Sequence, residues 1–293
     1  MAKSKNVKMV LTGIVGLVIG GAIIYGAHLG NKQAAAGHDI ATSDDGLIPI
    51  RTVSQTACGS TPWVVTDQLG FFKKEGLKVV YTGDTQPNQI IQSVLNGNND
   101  VASSHPNGLA VAIAGGAKIK GVVKGGIDPK PEQDPKLRHM FWYINPNVTP
   151  TIHSFADLNS LPGRLKFSVT TNNSCSDFLA NNIADSLDAG LGVSGGVGYY
   201  YFTTDFIEKN PEIVQKFARA MVKGQRWANE HPEEARKMTE DWIKVPVNAT
   251  HYYAADSEIS EDLVVPWIED LENAGVIPKG KVKVADLVNL VQK

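Results

Sequence analysis

The sequence predicts an α/β fold in which parallel-rich sheets are covered by helices on both faces. Two observations predict it: short apolar segments alternate with amphipathic helices from Ile48 onward, and proline or glycine marks the start or end of most of them. The chain has 293 residues, of which 42% are hydrophobic, so it is long enough for two lobes of ordinary size. We therefore expect a folded chain with packed cores.

The N-terminal segment predicts export. Lys3, Lys5 and Lys8 precede an uncharged run over residues 9–29, and alanines at 34–36 offer small residues of the signal-cleavage type. We expect residues 1–36 to be a signal peptide or a signal anchor and residues 37–47 to be a flexible tether. Because the positive charges precede the apolar run, the rest of the chain is expected outside the cytoplasmic membrane.

The first unit of the fold is a strand, a helix and a second strand. The segment IPIRTVSQ is a strand candidate. The following STPWVVTDQLGFFKKEG predicts one helix, with Thr61 placed to cap it, Pro62 in its first turn and Gly76 at its end. A strand through Val79 and Val80 completes the unit.

The same pattern then repeats. Pro87 opens a helix that Gly97 ends, and a short buried strand follows at Val101. A third unit runs from SSHPN through an alanine-rich helix into the strand IKGVVKG. Strands that alternate with helices in this way favour a parallel sheet.

A second α/β lobe is expected after the proline-rich surface stretch that begins at Asp128. FWYINP and residues 165–169 are its strand candidates. The glycine-rich GLGVSGGVG precedes an aromatic run at 199–202, and Asp205 with Glu208 has the spacing of a capping box. A long helix begins near Pro211, and Pro266 is expected to bend or split the C-terminal helix.

Charge and cysteine content exclude several classes of function. The formal charge is only -2, from 28 basic and 30 acidic residues, so no basic field predicts nucleic-acid binding. The histidines form no HExxH or similar ligand pair, and the two cysteines lack zinc-type spacing. We therefore expect no metal, no cofactor and no nucleic-acid partner.

Three segments in this order carry a family resemblance: GFFKKEGLKVVY, NGNNDVASSHPNGLAVAIAGGAKIKGV and DFIEKNPEIVQKFARAMVKGQRWANEHPEEA. The chain resembles the nitrate, sulfonate and thiamine-precursor (NMT1/THI5-like) type of ABC-transporter substrate-binding proteins. This resemblance implies a periplasmic-binding-protein-like fold of two lobes joined by a hinge, which binds a small molecule and delivers it to an ABC permease. Lobe one would comprise residues 48–140 and 245–293, and lobe two residues 141–244.

The resemblance also implies a ligand site in the loops that face the cleft. Loops after strands place polar side chains and helix-start N–H groups at the sheet edge, whereas the alternative for each loop is helix capping alone. The loop residues predicted to contact the ligand are Cys58, Gly59, Ser60, Thr61, Trp63, Thr85, Gln86, Ser103, Ser104, His105, Asn107, Thr171, Asn172, Asn173, Ser174 and Cys175. Trp63 would supply a stacking face.

Lobe two is shorter than the family pattern implies. After CSDFLANNIAD the chain passes almost at once to the glycine-rich loop, so about two βα units, each of roughly 30-residue βαβ size, are missing. If nothing replaces them, the aromatic run 199–202 and the apolar face of the long helix, with Phe217 and Met221, are expected to be partly uncovered.

Two rival functions stay open at this stage. A membrane-tethered sensor or scaffold would keep the fold and pass its ligand state to a partner. An enzyme like the thiamine-pyrimidine synthases would need a positioned base beside a nucleophile, for instance His105 near Cys58, but their cysteine-rich motif is absent. The resemblance places Cys58 and Cys175 on opposite sides of the cleft, so two free thiols are expected.

Overall fold

The computed structural model describes residues 42–126, 157, 198–247 and 252–289. Within these ranges the chain is a mixture of short strands and helices, as the sequence predicts. No helix in this part of the chain combines the length and apolar character needed to cross a membrane.

The first strand–helix–strand unit forms where the sequence predicts it, but its helix is broken. Strand β1 spans Ile48–Thr52, a 3₁₀ turn spans Cys58–Ser60, helix α1 spans Thr61–Gln68, helix α2 spans Phe71–Lys74, and strand β2 spans Leu77–Tyr81. Pro62 lies in the first turn of α1, where its missing N–H costs nothing. Gly70 adopts a left-handed φ of 69°, which separates α1 from α2.

The next units follow the predicted pattern. A 3₁₀ turn spans Pro87–Gln89, helix α3 spans Ile90–Leu95, strand β3 spans Ala102–Ser104, helix α4 spans Pro106–Ala114, and strand β4 spans Ile119–Lys124. Gly97 has a φ of 73° directly after α3. A proline opens the 3₁₀ turn and helix α4, and Gly97 follows the end of α3, so local chemistry sets these boundaries.

The C-terminal half of the described chain is mostly helical. Strand β5 spans Tyr199–Thr203, helix α5 Thr204–Lys209, helix α6 Pro211–Glu230, helix α7 Pro232–Ile243, a 3₁₀ turn Glu261–Leu263, helix α8 Val265–Asn273, and helix α9 Val284–Leu287. The predicted capping box at Asp205 is wrong, because the Thr203 side chain accepts the capping hydrogen bond from the Phe206 N–H. Pro266 is the second residue of α8 and lies in its first turn, after the 3₁₀ turn Glu261–Leu263.

The strands form a parallel pair and a mixed three-stranded sheet. β1 and β2 run parallel, with Ile48 opposite Leu77. β5 lies between β3 and β4 and runs antiparallel to both, so the second sheet contains antiparallel pairs, unlike the parallel pair that the sequence favours in the first. The N–H groups of Asp100 and Val101 donate to the Arg51 carbonyl and bring the start of β3 beside β1.

The side chains of β5 alternate between two hydrophobic clusters. Tyr199 and Tyr201 pack with residues of α4, α8 and α9, whereas Tyr200 and Phe202 pack with β1, α1, α2 and α6. Phe217 and Met221 of α6 are fully buried in the second cluster, and the whole run 199–202 is buried. The expectation that these residues are partly uncovered is therefore wrong, because helices of the described chain cover both faces of β5.

The division into lobes stays a prediction, since residues 141–156 and 158–197 lie outside the described ranges. Within those ranges, residues 199–244 pack against residues 48–126. Gly224 of α6 contacts α1, and the Thr239 hydroxyl of α7 donates to Thr61 at the start of α1. The strand that follows the glycine-rich segment, β5, thus pairs with β3 and β4 in one sheet, although the predicted bounds assign it to lobe two.

Candidate functional site

The ends of the strands bring the predicted loops to the edges of the sheets. Thr52 and Tyr81 are paired at the carboxyl ends of β1 and β2, and the Ser54 N–H donates to the Gly83 carbonyl at 2.9 Å, so the two following loops are adjacent. In the three-stranded sheet, Ser104, Tyr199 and Lys124 lie side by side. The loops after β3 and β4 therefore share one edge with the start of β5.

Helix α6 connects these two groups of loops. Thr66 of α1 packs against Gly224, and the next residue, Gln225, donates from Nε2 to the Lys124 carbonyl at 2.9 Å. Gln225 is completely buried, so this bond fixes the end of β4 against α6 in a dry environment. The helix thus positions the loop before α1 relative to the loop after β4.

In the loop before α1, exposure decreases toward the helix. Gly59 is exposed, Ser60 is half-buried, and Thr61 is buried. The Ser60 side chain makes no capping hydrogen bond at α1, whereas Thr61 accepts a bond of 2.8 Å from the Thr239 hydroxyl. Ser60 therefore has the exposure that a ligand contact needs, while Thr61 holds α7 against α1. The side chain of Cys58 lies outside the described part of the structure.

Trp63 is a core residue, which corrects its predicted role. Its side chain is 0% exposed, and its ring lies 5.0 Å from Phe72, 5.6 Å from Phe217 and 5.9 Å from Tyr200, measured between ring centroids. Stacking on a ligand needs a free ring face, and these three rings surround Trp63. The amphipathic turn that carries Trp63 points this residue inward, which its position beside a loop did not reveal.

A chain of polar groups lies behind this loop. Trp63 Nε1 donates to the Tyr81 hydroxyl at 3.0 Å, and that hydroxyl donates to Asp67 Oδ2 at 2.7 Å. Burial raises the pKa of Asp67, and the hydrogen bond from Tyr81 offsets only part of this effect. Burial and the Asp67 carboxylate together raise the pKa of Tyr81. These hydrogen bonds satisfy the polar atoms of Trp63 and Tyr81 within the aromatic core. The Tyr81 hydroxyl keeps its proton and is neutral.

The loop after β2 presents polar side chains to solvent. Asp84 and Gln86 are exposed and Thr85 is half-buried. Gln86 has an extended backbone at the N-cap of the 3₁₀ turn, with no side-chain capping bond. These side chains are free to meet a molecule bound beside the neighbouring loop.

The four predicted residues at the end of β3 and the start of α4 differ in exposure. Ser103 is exposed, Ser104 and His105 are half-buried, and Asn107 is buried at 1% exposure. His105 is the extended N-cap residue of α4, and Ser104 Oγ lies so close to Gly108 that a Cβ atom there would come within 2.9 Å. His105 and Asn107 already interact with other groups of the protein. Ser104 and His105 are therefore the residues of this loop that combine partial exposure with a helix start.

The remaining predicted contacts lie outside the described residues. These are Thr171, Asn172, Asn173, Ser174 and Cys175. The second wall of the predicted cleft and the state of the two cysteines accordingly stay predictions.

Sequence reasoning missed the place where the chain crosses the edge of the sheet. The Gly125 N–H donates to the Gly198 carbonyl at 2.7 Å, the Ala254 N–H donates to the Gly125 carbonyl at 3.0 Å, and Gly126 forms an antiparallel bridge with Tyr253. Three chain segments distant in sequence thus lie side by side there. Glycines at 125, 126 and 198, flanking the strands IKGVVK and YYYFT, were the available signal.

Two further contributions to this region come from helix α7 and from a lysine. Trp242 Nε1 donates to the Gln55 carbonyl at 3.0 Å, and its ring lies 5.6 Å from that of Tyr81. Lys124 Nζ lies 2.9 Å from Asp256 Oδ1, and its side chain is only 12% exposed. Neither residue stands out in the sequence, because only tertiary packing brings α7 and Asp256 to these loops.

The described residues include no group of three or more His, Cys, Asp or Glu side chains placed to hold a metal ion. The predicted loops of the described chain carry mostly neutral polar side chains and helix starts, together with the exposed Asp84 and the paired Lys124. Such groups can hydrogen-bond a small polar molecule.

A family model described as NMT1/THI5 like matches residues 58–126 and 188–235. These residues include the turn Cys58–Ser60 before α1, the loops after β2 and β3, and strand β5 with helix α6. The resemblance expected from the sequence is therefore confirmed. Comparison with curated proteins finds no match.

Several solved structures share the fold at low sequence identity. A ligand-binding component of an ABC-type import system from Staphylococcus aureus, with zinc bound, is 11% identical with a TM-score of 0.58, covering 82% of this chain and 96% of that chain. The periplasmic nitrate-binding protein of Synechocystis PCC 6803 is 13% identical with a TM-score of 0.51, covering 83% and 86%. The alkanesulfonate-binding protein of Xanthomonas axonopodis pv. citri, bound to MOPS, is 13% identical with a TM-score of 0.51, covering 82% and 98%.

Proposed function

We propose that this protein is an extracytoplasmic solute-binding protein. The match to the NMT1/THI5-like family model and the periplasmic-binding-protein fold support this proposal. It binds a small organic or oxyanion-like nutrient and delivers it to an ABC permease in the cytoplasmic membrane. The residues serve binding alone and carry no catalytic step.

The observation that carries this proposal is the crossing of three chain segments at Gly125, Gly198 and Ala254. It lies at the same sheet edge as the polar loop after β3, because Ser104 and Lys124 are both in register with Tyr199. A hinge of closely spaced crossing segments beside a set of polar loops is the arrangement that domain closure around a ligand requires.

The ligand contacts from the described lobe are proposed to come from its accessible polar residues. Ser60 lies before α1, Thr85 and Gln86 follow β2, and Ser104 and His105 precede α4. Thr171 to Cys175 are proposed to supply the opposite wall. Trp63 and Thr61 support the site from within the core and do not touch the ligand.

The chemistry of these groups favours a neutral or weakly anionic ligand. No arginine is among them, and paired N–H bonds from arginine are the usual means of holding a phosphate or sulfonate. The cation at this edge, Lys124, is already paired with Asp256. Hydroxyl, amide and imidazole groups are better suited to hydrogen-bond the edge of a heterocycle or an amide than to balance the charge of a doubly charged anion.

Location follows from the same function. We propose that the domain lies outside the cytoplasmic membrane, with residues 1–36 acting as a signal peptide or signal anchor. N-terminal sequencing of the exported protein distinguishes cleavage from anchoring.

The test is a thermal-shift screen of the purified protein against thiamine precursors, sulfonates, nitrate and amides. A ligand at 100 times its Kd should stabilise the fold by about 2.7 kcal/mol. The shift should be lost in the double variant Ser104→Ala/His105→Ala and kept in Lys279→Ala, which changes an exposed residue distant in sequence from every predicted contact. A ligand that stabilises both variants equally would place the binding site elsewhere.

A further inference from the structure

A basic stripe runs along the exposed side of helix α6. Lys216, Arg219, Lys223 and Arg226 recur every three or four residues, the spacing that places side chains on one helix face. The side chains of Arg219 and Lys223 are 52% and 49% exposed, while Val214, Phe217 and Met221 on the other side are buried. These four basic residues are called the α6 basic stripe below.

A single carboxylate lies at the centre of the stripe and leaves it positive. Glu75 Oε2 lies 2.9 Å from Arg219 Nη2, and Glu75 Oε1 lies 2.6 Å from Lys223 Nζ, so one negative charge serves two cations. Burial alone would raise the pKa of Glu75, but the hydrogen bonds from Lys223 and Arg219 outweigh it and lower the pKa. Exposed Lys73 and Lys74 on α2 add further positive charge beside Glu75.

Within α6 itself, the acidic residues stand at the two ends of the helix. Glu212 lies 3.1 Å from Lys216 at one end, and Glu230 is the last residue of α6 at the other. Arg226 Nε donates to the Ala255 carbonyl, a neutral partner. The positive charge of the stripe is therefore local, since the whole chain has a formal charge of -2.

The chain joins the sheet beside this stripe. The Ile48 N–H donates to the Gly76 carbonyl at 2.9 Å, and Gly76 follows Glu75 directly. Asp45, in the segment before β1, pairs with Lys78 of β2 at 2.9 Å. The described chain therefore enters β1 next to Glu75 and its two cations.

We propose that the α6 basic stripe faces the anionic lipid headgroups of the cytoplasmic membrane, to which its local positive charge is complementary. A negatively charged lipid surface attracts basic residues within about a Debye length, which is roughly 8 Å at physiological salt. The inference rests on the proposed extracytoplasmic location and is independent of ligand binding.

The test uses the full chain in lipid nanodiscs and an amine-reactive label read by mass spectrometry. One disc is phosphatidylcholine alone, and the other contains equal parts of phosphatidylcholine and phosphatidylglycerol. Because each basic residue near an anionic surface gains roughly a fivefold preference, labelling of Lys216 and Lys223 should be about fivefold slower in the anionic disc. In roughly 1 M salt, where the Debye length is about 3 Å, this difference should disappear.

Internal and variant controls make the result specific. The internal control is a set of lysines near Val282, a residue that packs in the cluster on the other face of β5. These are Lys279, Lys281 and Lys283, and their labelling should be the same in both discs. Arg219→Gln/Arg226→Gln removes two charges but keeps the lysine reporters, and it should restore labelling in the anionic disc. The matched variant Lys279→Gln/Lys281→Gln should leave the protection of Lys216 and Lys223 unchanged.

Melting temperatures of both variants verify that they fold, and an unchanged ligand-induced shift separates this proposal from the ligand site. Equal labelling of the stripe in both discs would overturn it. So would protection that persists in high salt, or protection that appears only with several copies of the chain per disc. The last result would assign the stripe to a protein partner.

Discussion

Gly224 of helix α6 lies directly against Thr66 of helix α1. A Cβ atom at Gly224 would overlap the Thr66 hydroxyl and lie 3.0 Å from the Thr66 Cα atom. The two helices therefore approach at a distance that only glycine permits at this point. The neighbouring Gln225 holds the end of β4, so this approach also fixes the relative position of two site loops.

Gly224→Ala should destabilise the fold by about 1–3 kcal/mol, because overpacking forces α1 and α6 apart. The better helix propensity of alanine, about 1 kcal/mol, offsets only part of the clash. Thermal or chemical denaturation measures the change. Gly59→Ala is the matched control, since a Cβ atom there meets nothing within 4 Å. Equal stability of the two variants would contradict the close contact.

Trp63→Ala should lower the free energy of unfolding by about 3–5 kcal/mol, as expected for removing a buried tryptophan. The substitution also leaves the Tyr81 hydroxyl without its Trp63 donor. Urea denaturation of Trp63→Ala and of Trp227→Phe, a change at a half-buried position of α6, provides the comparison. Loss of ligand affinity without loss of stability would instead support the stacking role that the sequence predicted.

Asp67→Asn tests the buried carboxyl behind the first loop. Its folded pKa is raised above the ordinary 3.8, so the folded state binds more protons than the unfolded state at pH values between the two. The stability of the wild type, relative to Asp67→Asn, should fall as pH rises through that range and stay level above it. Asparagine keeps an acceptor for the Tyr81 hydroxyl. Paired urea titrations from acid to neutral pH give the difference, and a rise with pH would contradict it.

Glu75→Gln should show the opposite pH dependence. The folded pKa of Glu75 is lowered below 4.5, so its stabilisation is complete above the unfolded value and is lost as pH falls through the folded value. At neutral pH the variant should be less stable by roughly 1 kcal/mol, because both partners are about half exposed. Glu212→Gln, which breaks an exposed pair on the same helix, should have a smaller effect.

Local chemistry explains why much of the fold could be predicted. Pro62, Pro87 and Pro106 open helices or turns, and glycines at 76 and 97 end the segments before them. These signals act over a few residues, so the sequence alone reveals them. The break at Gly70 was missed because one glycine inside a helical pattern is compatible with either outcome.

Long-range pairing explains what could not be predicted. The antiparallel insertion of β5 between β3 and β4 depends on strands about 75 and about 95 positions apart in sequence. Trp63 lies in the first turn of α1, beside a loop. Only its packing against Phe217 and Tyr200 shows that its side chain points inward. For the same reason Trp242 and Gln225 carried no recognisable signal, although they position the loops after β1 and β4.

Gly125→Ala should alter ligand affinity more than stability. A Cβ atom at Gly125 would lie 3.3 Å from the Gly198 carbonyl oxygen and 3.5 Å from Tyr200, so the crossing segments must separate by a few tenths of an ångström. Such a shift changes the balance between open and closed arrangements of a hinge, and a ligand that favours one arrangement then binds with changed affinity.

Gly115→Ala is the control, because its Cβ atom would come equally close, 3.2 Å, to the Ala112 carbonyl oxygen at the end of α4. Calorimetric titration with the compound that gives the largest thermal shift should show an affinity change of about threefold or more in Gly125→Ala alone, which corresponds to roughly 0.7 kcal/mol. Equal affinities in the two variants would mean that the crossing at Gly125 is not part of the hinge.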